Sequence, residues 1–221
     1  MAKHWWKILS VVIILYTIIA GLSVKIPIIA NNEETSRNLF YHVPMWIAMY
    51  TQFGISVVAS IMYLASNDLK KDIWASSAGS VGVLFGLMGF ATGSLWATYT
   101  WGGTITDDPK QISTALALLI YLAYLVLRSS FSDLDKRARV SAIFNVFAFA
   151  LLIPLTYIIP RMVDSLHPGS TSSPGFKSAD TDGTMMRLFY PAMIGWALFS
   201  VWLYTIRVRY RKLALKKIIH A

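Results

Sequence analysis

Apolar residues run through the chain in six blocks of spanning length, at about 8–29, 41–65, 75–98, 112–130, 140–160 and 186–206. A helix that crosses the hydrocarbon core needs roughly 20 mostly apolar residues, and each block supplies them. No Asp, Glu, Lys or Arg stands between Tyr41 and Asn67, nor between Ile73 and Thr106. The pattern predicts an all-α polytopic membrane protein, a single six-helix transmembrane domain over residues 1–221. The opening "MAKHWWK" is a basic stretch before an apolar run, as in a signal peptide, but no convincing small-x-small cleavage site follows. The first block is therefore read as a retained anchor.

Between the blocks lie short polar connectors, and their positive charges are unevenly shared. The amino-terminal stretch, the second and fourth connectors (with Arg128) and the tail hold fourteen of the 20 Lys and Arg; the other six lie in the remaining connectors or at the block ends beside them. The positive-inside rule then places both termini in the cytoplasm. Three connectors fall on the outer face: 31–40, 99–110 and the long 161–184, which is rich in Gly, Ser, Pro and Asp.

Composition agrees with a bilayer protein. Only 14% of the residues are charged, against about 25% in soluble domains. The net charge of +9 follows from the topology signal and calls for no nucleic-acid partner; the basic tail can also touch anionic lipid head groups. There is no cysteine, so disulfides, thiol exchange and thiolate metal sites are excluded for these residues. The glycines of "GSVGVLFGLMG" lie inside a span without a P-loop lysine, and are expected to serve close helix packing. The near absence of ionisable residues within the spans argues against a proton pump or ion-coupled carrier.

The candidate chemistry sits on the outer face. His4 and His220 lie in the basic ends, whereas His42, in "FYHVPMW", and His167, in "DSLHPGS", flank the outer connectors. An interfacial hydrogen bond accounts for either histidine alone. Two on one face can also serve as ligands to a metal or to haem iron, clamping one planar macrocycle from both sides. Trp96, Tyr99 and Trp101 fit the aromatic belt of any membrane interface. Gly93, Gly102 and Gly103 beside them would also let a flat ligand approach closely. Arg37, Lys110, Arg161 and Arg187 are outer cations able to meet the carboxylates of such a ligand.

The stretch "GSLWATYTWGGTITDDPK" carries a resemblance. It is similar to the tryptophan-rich segment G-x-x-W-x-x-x-x-W-G-x-x-W-x-W-D of the cytochrome c assembly proteins, the CcmC, CcmF and CcsA family of haem-handling membrane proteins. Gly93, Trp96, Trp101, Gly102 and Asp108 match at the same spacing, while Ile105 and Asp107 stand where the family usually has tryptophan. The six spans, the H-V-P histidine and the outer-loop histidine extend the likeness over nearly the whole chain, and its size favours the CcmC branch.

The resemblance implies that His42 and His167 ligate the iron of a transiently and non-covalently bound b-type haem. It implies that Trp96, Trp101, Gly102, Asp108 and Trp46 (one turn below His42) form the cradle. It further implies delivery of haem to a CcmE-like chaperone on the periplasmic side of a bacterial inner membrane. The partners would be a CcmA/CcmB transporter and a small CcmD-like protein. A haem-delivery module rather than a redox enzyme is expected. The alternatives are a haem lyase acting on apocytochrome c, a haem transporter subunit, a b-type electron carrier and a scaffold for an ABC transporter.

Overall fold

The computed structural model describes residues 4–26, 33–167 and 183–219. The greater part of the 161–184 connector and His220 therefore lie outside the described residues. Among the described residues, six helices are long and apolar enough to cross a membrane. They are α1 (Trp5–Ser23), α2 (Leu39–Ser66), α3 (Leu69–Thr100), α4 (Pro109–Ser129), α5 (Leu134–Ile153) and α6 (Gly183–Ile219). A 3₁₀ turn, Glu33–Asn38, leads into α2. A π-helical turn, Pro154–Ile158, carries α5 on to a short helical turn, Ile159–Met162. Proline lacks the N–H that the regular ladder needs, which explains the change of winding at Pro154. No strand occurs among the described residues.

The helix ends follow from local chemistry. Asp68, Asp108 and Asp133 each cap the helix that follows, accepting backbone N–H bonds from its first turn. Asn67 ends α2 in the left-handed conformation, at φ 52°. Arg37 donates to the carbonyls of Gly21 and Val24, at 2.7 and 2.8 Å, and so ties the end of α1 to the entry of α2.

The pair α2 and α3 forms the centre, with α2 also packed on α5 and α6, and α6 on α1. Gly79, Gly82, Gly86, Gly89 and Gly93 recur every three or four residues and form one stripe on α3. A Cβ at Gly82 would lie 2.5 Å from the Phe53 ring, and one at Gly86 would lie 2.4 Å from Leu118. Phe53 in turn stacks on Tyr121 with centroids 3.5 Å apart. The glycines expected to serve packing thus let α2 and α4 come against α3. Close approach is what drives helix association in lipid, where burial from water contributes nothing.

Polar links cross this core. Asn145 donates to the hydroxyls of Ser56 and Ser60, each at 2.8 Å, and Ser56 donates to the Ala75 carbonyl. They join α5, α2 and α3, and Gln52 reaches Ser200 on α6.

Candidate functional site: two imidazoles and a tryptophan-rich turn

The end of α3 and the start of α2 lie side by side, which brings His42 against the last glycines of the stripe. A Cβ on Gly93 would lie 2.5 Å from the imidazole of His42, and one on Gly89 would lie 2.9 Å from the indole of Trp46. The two glycines therefore form the slots in which these two side chains sit. His42 Nδ1 lies 3.0 Å from the Gly89 carbonyl. A carbonyl only accepts, so this nitrogen carries the proton, and Nε2 keeps the lone pair. That lone pair accepts a bond from the Trp46 indole N–H at 3.1 Å. Thr92 Oγ1 stands 3.3 Å from Nδ1 as a second neighbour. Trp96 meets His42 edge-on, at 6.0 Å between centroids, and its N–H donates to Thr35.

A second group forms at the turn 101–108. Helix α3 runs on to Thr100 and α4 begins at Pro109, so the helices enclose the expected 99–110 connector and leave eight residues between them. Gly102 stops α3 with a φ of 78°, which side chains rarely adopt; a Cβ there would meet nothing within 4 Å. Gln111 holds the turn from inside, accepting from the Thr106 backbone N–H and donating to the Thr104 carbonyl, both at 2.8 Å.

Asp108 is the centre of this group. Its Oδ1 accepts from the backbone N–H groups of Lys110 and Gln111 as the cap of α4. Its Oδ2 accepts from the Ser165 hydroxyl and the Leu166 backbone N–H, each at 2.7 Å. Oδ1 also receives His167 Nδ1 at 2.8 Å. One buried carboxylate therefore fixes the turn, the segment after α5 and the ring of His167 together. The His167 ring also meets Trp101 edge-on, with centroids 4.6 Å apart. With Nδ1 donating, Nε2 is the basic nitrogen, and it has no hydrogen-bond partner among the described residues.

Electrostatics sets the state of this second group. Burial would by itself raise the pKa of Asp108. The bonds from Ser165 and Leu166, with His167 and Gln111 beside it, outweigh burial and hold the carboxyl below its ordinary value. Burial and the nearby Lys110 ammonium pull His167 down to about 4, against the opposing effect of Asp108. The imidazole is neutral at pH 7, the form in which histidine binds metals.

The structure thus gathers the six candidate side chains at one end of the bundle: His42, Trp46 and Trp96 on α2 and α3, and Trp101, Asp108 and His167 around the turn. The two imidazoles are near enough to interact through space, and Lys110 acts on both. Of the four cations expected to meet a ligand's carboxylates, three have work elsewhere. Arg37 holds α1 and pairs with Glu34. Arg161 lies 3.6 Å over the Tyr157 ring, and Arg187 bonds to its own first turn. The Lys110 ammonium has no hydrogen-bond partner among the described residues. His4 is exposed ahead of α1, at the opposite end. Ile105 and Asp107 are exposed on the turn. Among the described residues no three His, Cys, Asp or Glu converge as a protein metal cage requires.

Gly89, Thr92, Ser165, Leu166 and Gln111 are additions to the sequence-level candidates. They act through backbone atoms or through contacts that no motif announces. Only Gln111 carries a local signal, standing at the N3 position of a helix opened by Asp-Pro.

Fold and site together define a six-span membrane protein that presents two Nδ1-anchored imidazoles among tryptophans at one end of its bundle. The family described as "CcmC: Heme exporter protein C" matches residues 1–219, and the chain belongs to that family. It is 28% identical over 148 residues to "Heme exporter protein C" of Bradyrhizobium diazoefficiens, covering 66% of this chain and 56% of that protein. It is 22% identical over 201 residues to the protein of the same description from Haemophilus influenzae, covering 91% and 80%. It is also 23% identical over 141 residues to "Cytochrome c biogenesis protein CcsA" of Atropa belladonna, covering 61% and 44%. The match thus spans little more than half of the Bradyrhizobium relative's length.

Proposed function

We propose that this protein binds haem as cargo between His42 and His167, on the periplasmic side of a bacterial inner membrane with both termini in the cytoplasm. It would hand the haem to a CcmE-like chaperone during c-type cytochrome assembly. The observation that carries this reading is the common preparation of the two imidazoles. Each Nδ1 is anchored to an acceptor, Gly89 O or Asp108 Oδ1, which turns Nε2 into the coordinating nitrogen. Such anchoring of the far ring nitrogen is the usual support of a metal-binding histidine.

The remaining residues divide the work of holding a flat, amphipathic ring. Trp96 and Trp101 offer aromatic surface beside each imidazole. Gly102 presents no side chain toward an arriving ring, and Ile105 adds an exposed aliphatic surface. Lys110 supplies positive charge for a propionate. Asp108 acts by orienting His167, and the exposed Asp107 marks a polar edge suited to partner contact. A CcmA/CcmB transporter and a CcmD-like subunit complete the proposed assembly. With two protein ligands on the iron, no open position remains for oxygen chemistry, so one histidine must let go before transfer. That favours a delivery module over a redox enzyme.

The test is the absorption spectrum of the detergent-purified protein from haem-sufficient cells, beside His42→Ala and His167→Ala. A low-spin bis-imidazole spectrum in the parent, lost or converted in both variants, is expected. A haem-free parent after haem addition and partner co-expression would overturn the proposal.

A further inference from the structure

The end of the bundle opposite the histidines carries a cavity of about 700 Å³ between α3, α4, the start of α5 and the end of α6. Its charged lining is Arg128, Arg137, Arg207 and Arg211 against a single acid, Asp72. Asp72 is already committed: Arg128 grips it through both oxygens, at 2.5 and 2.6 Å. No carboxylate of the lining is left to pair with the other three arginines, and Asp72 reaches Arg211 only through space. Arg128 and Arg207 both lie close enough to Arg211 to repel it. Among the described residues, the hydrogen bonds of Arg211 go to the hydroxyls of Ser76 and Ser80. Arg137 Nε is buried without a hydrogen-bond partner among the described residues.

The cavity is not polar throughout. From the Asp72 level it continues along α3 to Leu84, about 18 Å further at the helical rise, with Leu125 of α4 on the facing wall. Leu84 is exposed within the span α3. A cationic end at the helix termini and an apolar wall reaching toward the bilayer centre match an amphiphile with an anionic head. A free phosphate would have no use for the wall, and an acidic protein segment would have none for its depth.

We infer that this cavity binds an anionic phospholipid, with the phosphate among Arg137, Arg207 and Arg211 and an acyl chain along Leu84 and Leu125. Basic pockets between spanning helices are known settings for anionic head groups. None of these residues belongs to the histidine site, so the lipid would hold α6 to α3 and α4 whether or not haem is bound.

The experiment uses the full chain, delipidated in mild detergent, titrated with phosphatidylglycerol, cardiolipin, phosphatidylethanolamine and inorganic phosphate. Thermal stability and native mass spectrometry give the readouts. The anionic lipids are expected to bind and stabilise, phosphatidylethanolamine and phosphate not. Combining Arg137→Gln and Arg207→Gln should weaken anionic-lipid binding by about tenfold or more. Leu84→Trp, which fills the wall and leaves every charge in place, should weaken it too, and it stands as the second variant if the arginine pair fails to fold. Equal response to phosphatidylethanolamine, binding of phosphate alone, or protection of these arginines by an acidic partner protein while lipids do nothing would each overturn the inference.

Discussion

The Trp46 indole donates its N–H to His42 Nε2 at 3.1 Å, the same nitrogen that coordination of iron would require. The two residues are one helical turn apart on α2, so the bond is local. On the proposed reading, haem iron ligated by His42 would have to displace this bond. Trp46 would then act as a latch, occupying the lone pair while the site is open and yielding when iron comes. A hydrogen bond of this kind contributes about 1 kcal/mol net, or about fivefold in affinity. Trp46→Phe keeps an aromatic ring against Gly89 and removes the donor. Haem titration is expected to show binding about fivefold tighter, with the same low-spin spectrum. Weaker binding would mean that the indole serves as part of the ring platform and not as a latch.

Gly93 faces the His42 ring so closely that a methyl group cannot fit, the built Cβ lying 2.5 Å from Cε1. Gly93→Ala must push the imidazole out of its slot or part α2 from α3. Helical content is expected to be kept, because alanine favours a helix more than glycine does. Haem affinity should fall by about tenfold or more, as when the support of a metal ligand is lost. Circular dichroism beside a haem titration separates the two effects. An alanine variant that binds haem like the parent would show that the glycine slot is irrelevant to the ligand.

Acid should release His167. Burial and Lys110 depress its pKa to about 4 from an ordinary 6.5, so between those values the unfolded segment takes up more protons than the folded one. The contribution of the buried His167 to the folded arrangement around Asp108 is therefore fully present above about pH 6.5 and is lost as the pH falls toward 4. Asp108, also held below its ordinary value, gives way further into the acid range with the same sign. The low-spin haem signal is expected to hold through about pH 6.5 and to fall as the pH approaches 4, where the folded His167 takes up its proton. Asp108→Asn keeps the helix cap but offers no anion to the ring, and should cost about 10–100-fold in haem affinity. A pH profile unchanged by Asp108→Asn would remove Asp108 from its orienting role.

The spans are legible in the sequence because apolar runs of this length in a charge-poor chain admit few other readings. Their ends are less so. The last block is expected to stop near 206, yet α6 runs on to Ile219, because the basic residues of "RVRYRKLALKK" favour helix as much as apolar ones do. The histidine end is legible through topology and the tryptophan-rich segment. What pattern cannot supply is the anchoring: the Gly89 carbonyl is a backbone atom, and Ser165 reaches Asp108 across 57 residues of chain. Asp108 illustrates the division. Asp-Pro marks it as a helix cap, but its bonds to Ser165, Leu166 and His167 exist only once α5 has delivered them. The arginine cavity is likewise hidden, since Arg128, Arg137 and Arg211 read along the chain as ordinary topology charges.

The glycine stripe makes a separate claim about stability. Gly82 admits the Phe53 ring to within 2.5 Å of a would-be Cβ, and Phe53 stacks on Tyr121 across the centre of the bundle. Neither ring has room to retreat, as both are fully buried. Gly82→Ala is therefore expected to destabilise the protein by about 1–3 kcal/mol through overpacking. Gly54, inside α2, meets nothing within 4 Å, so Gly54→Ala gains helix propensity without a clash and should be neutral or stabilising by up to about 1 kcal/mol. Thermal unfolding of both variants in one detergent measures the contrast. If the two shift stability alike, glycine matters here through backbone freedom and not through close approach, and the helix-packing role of the whole stripe from Gly79 to Gly93 fails with it.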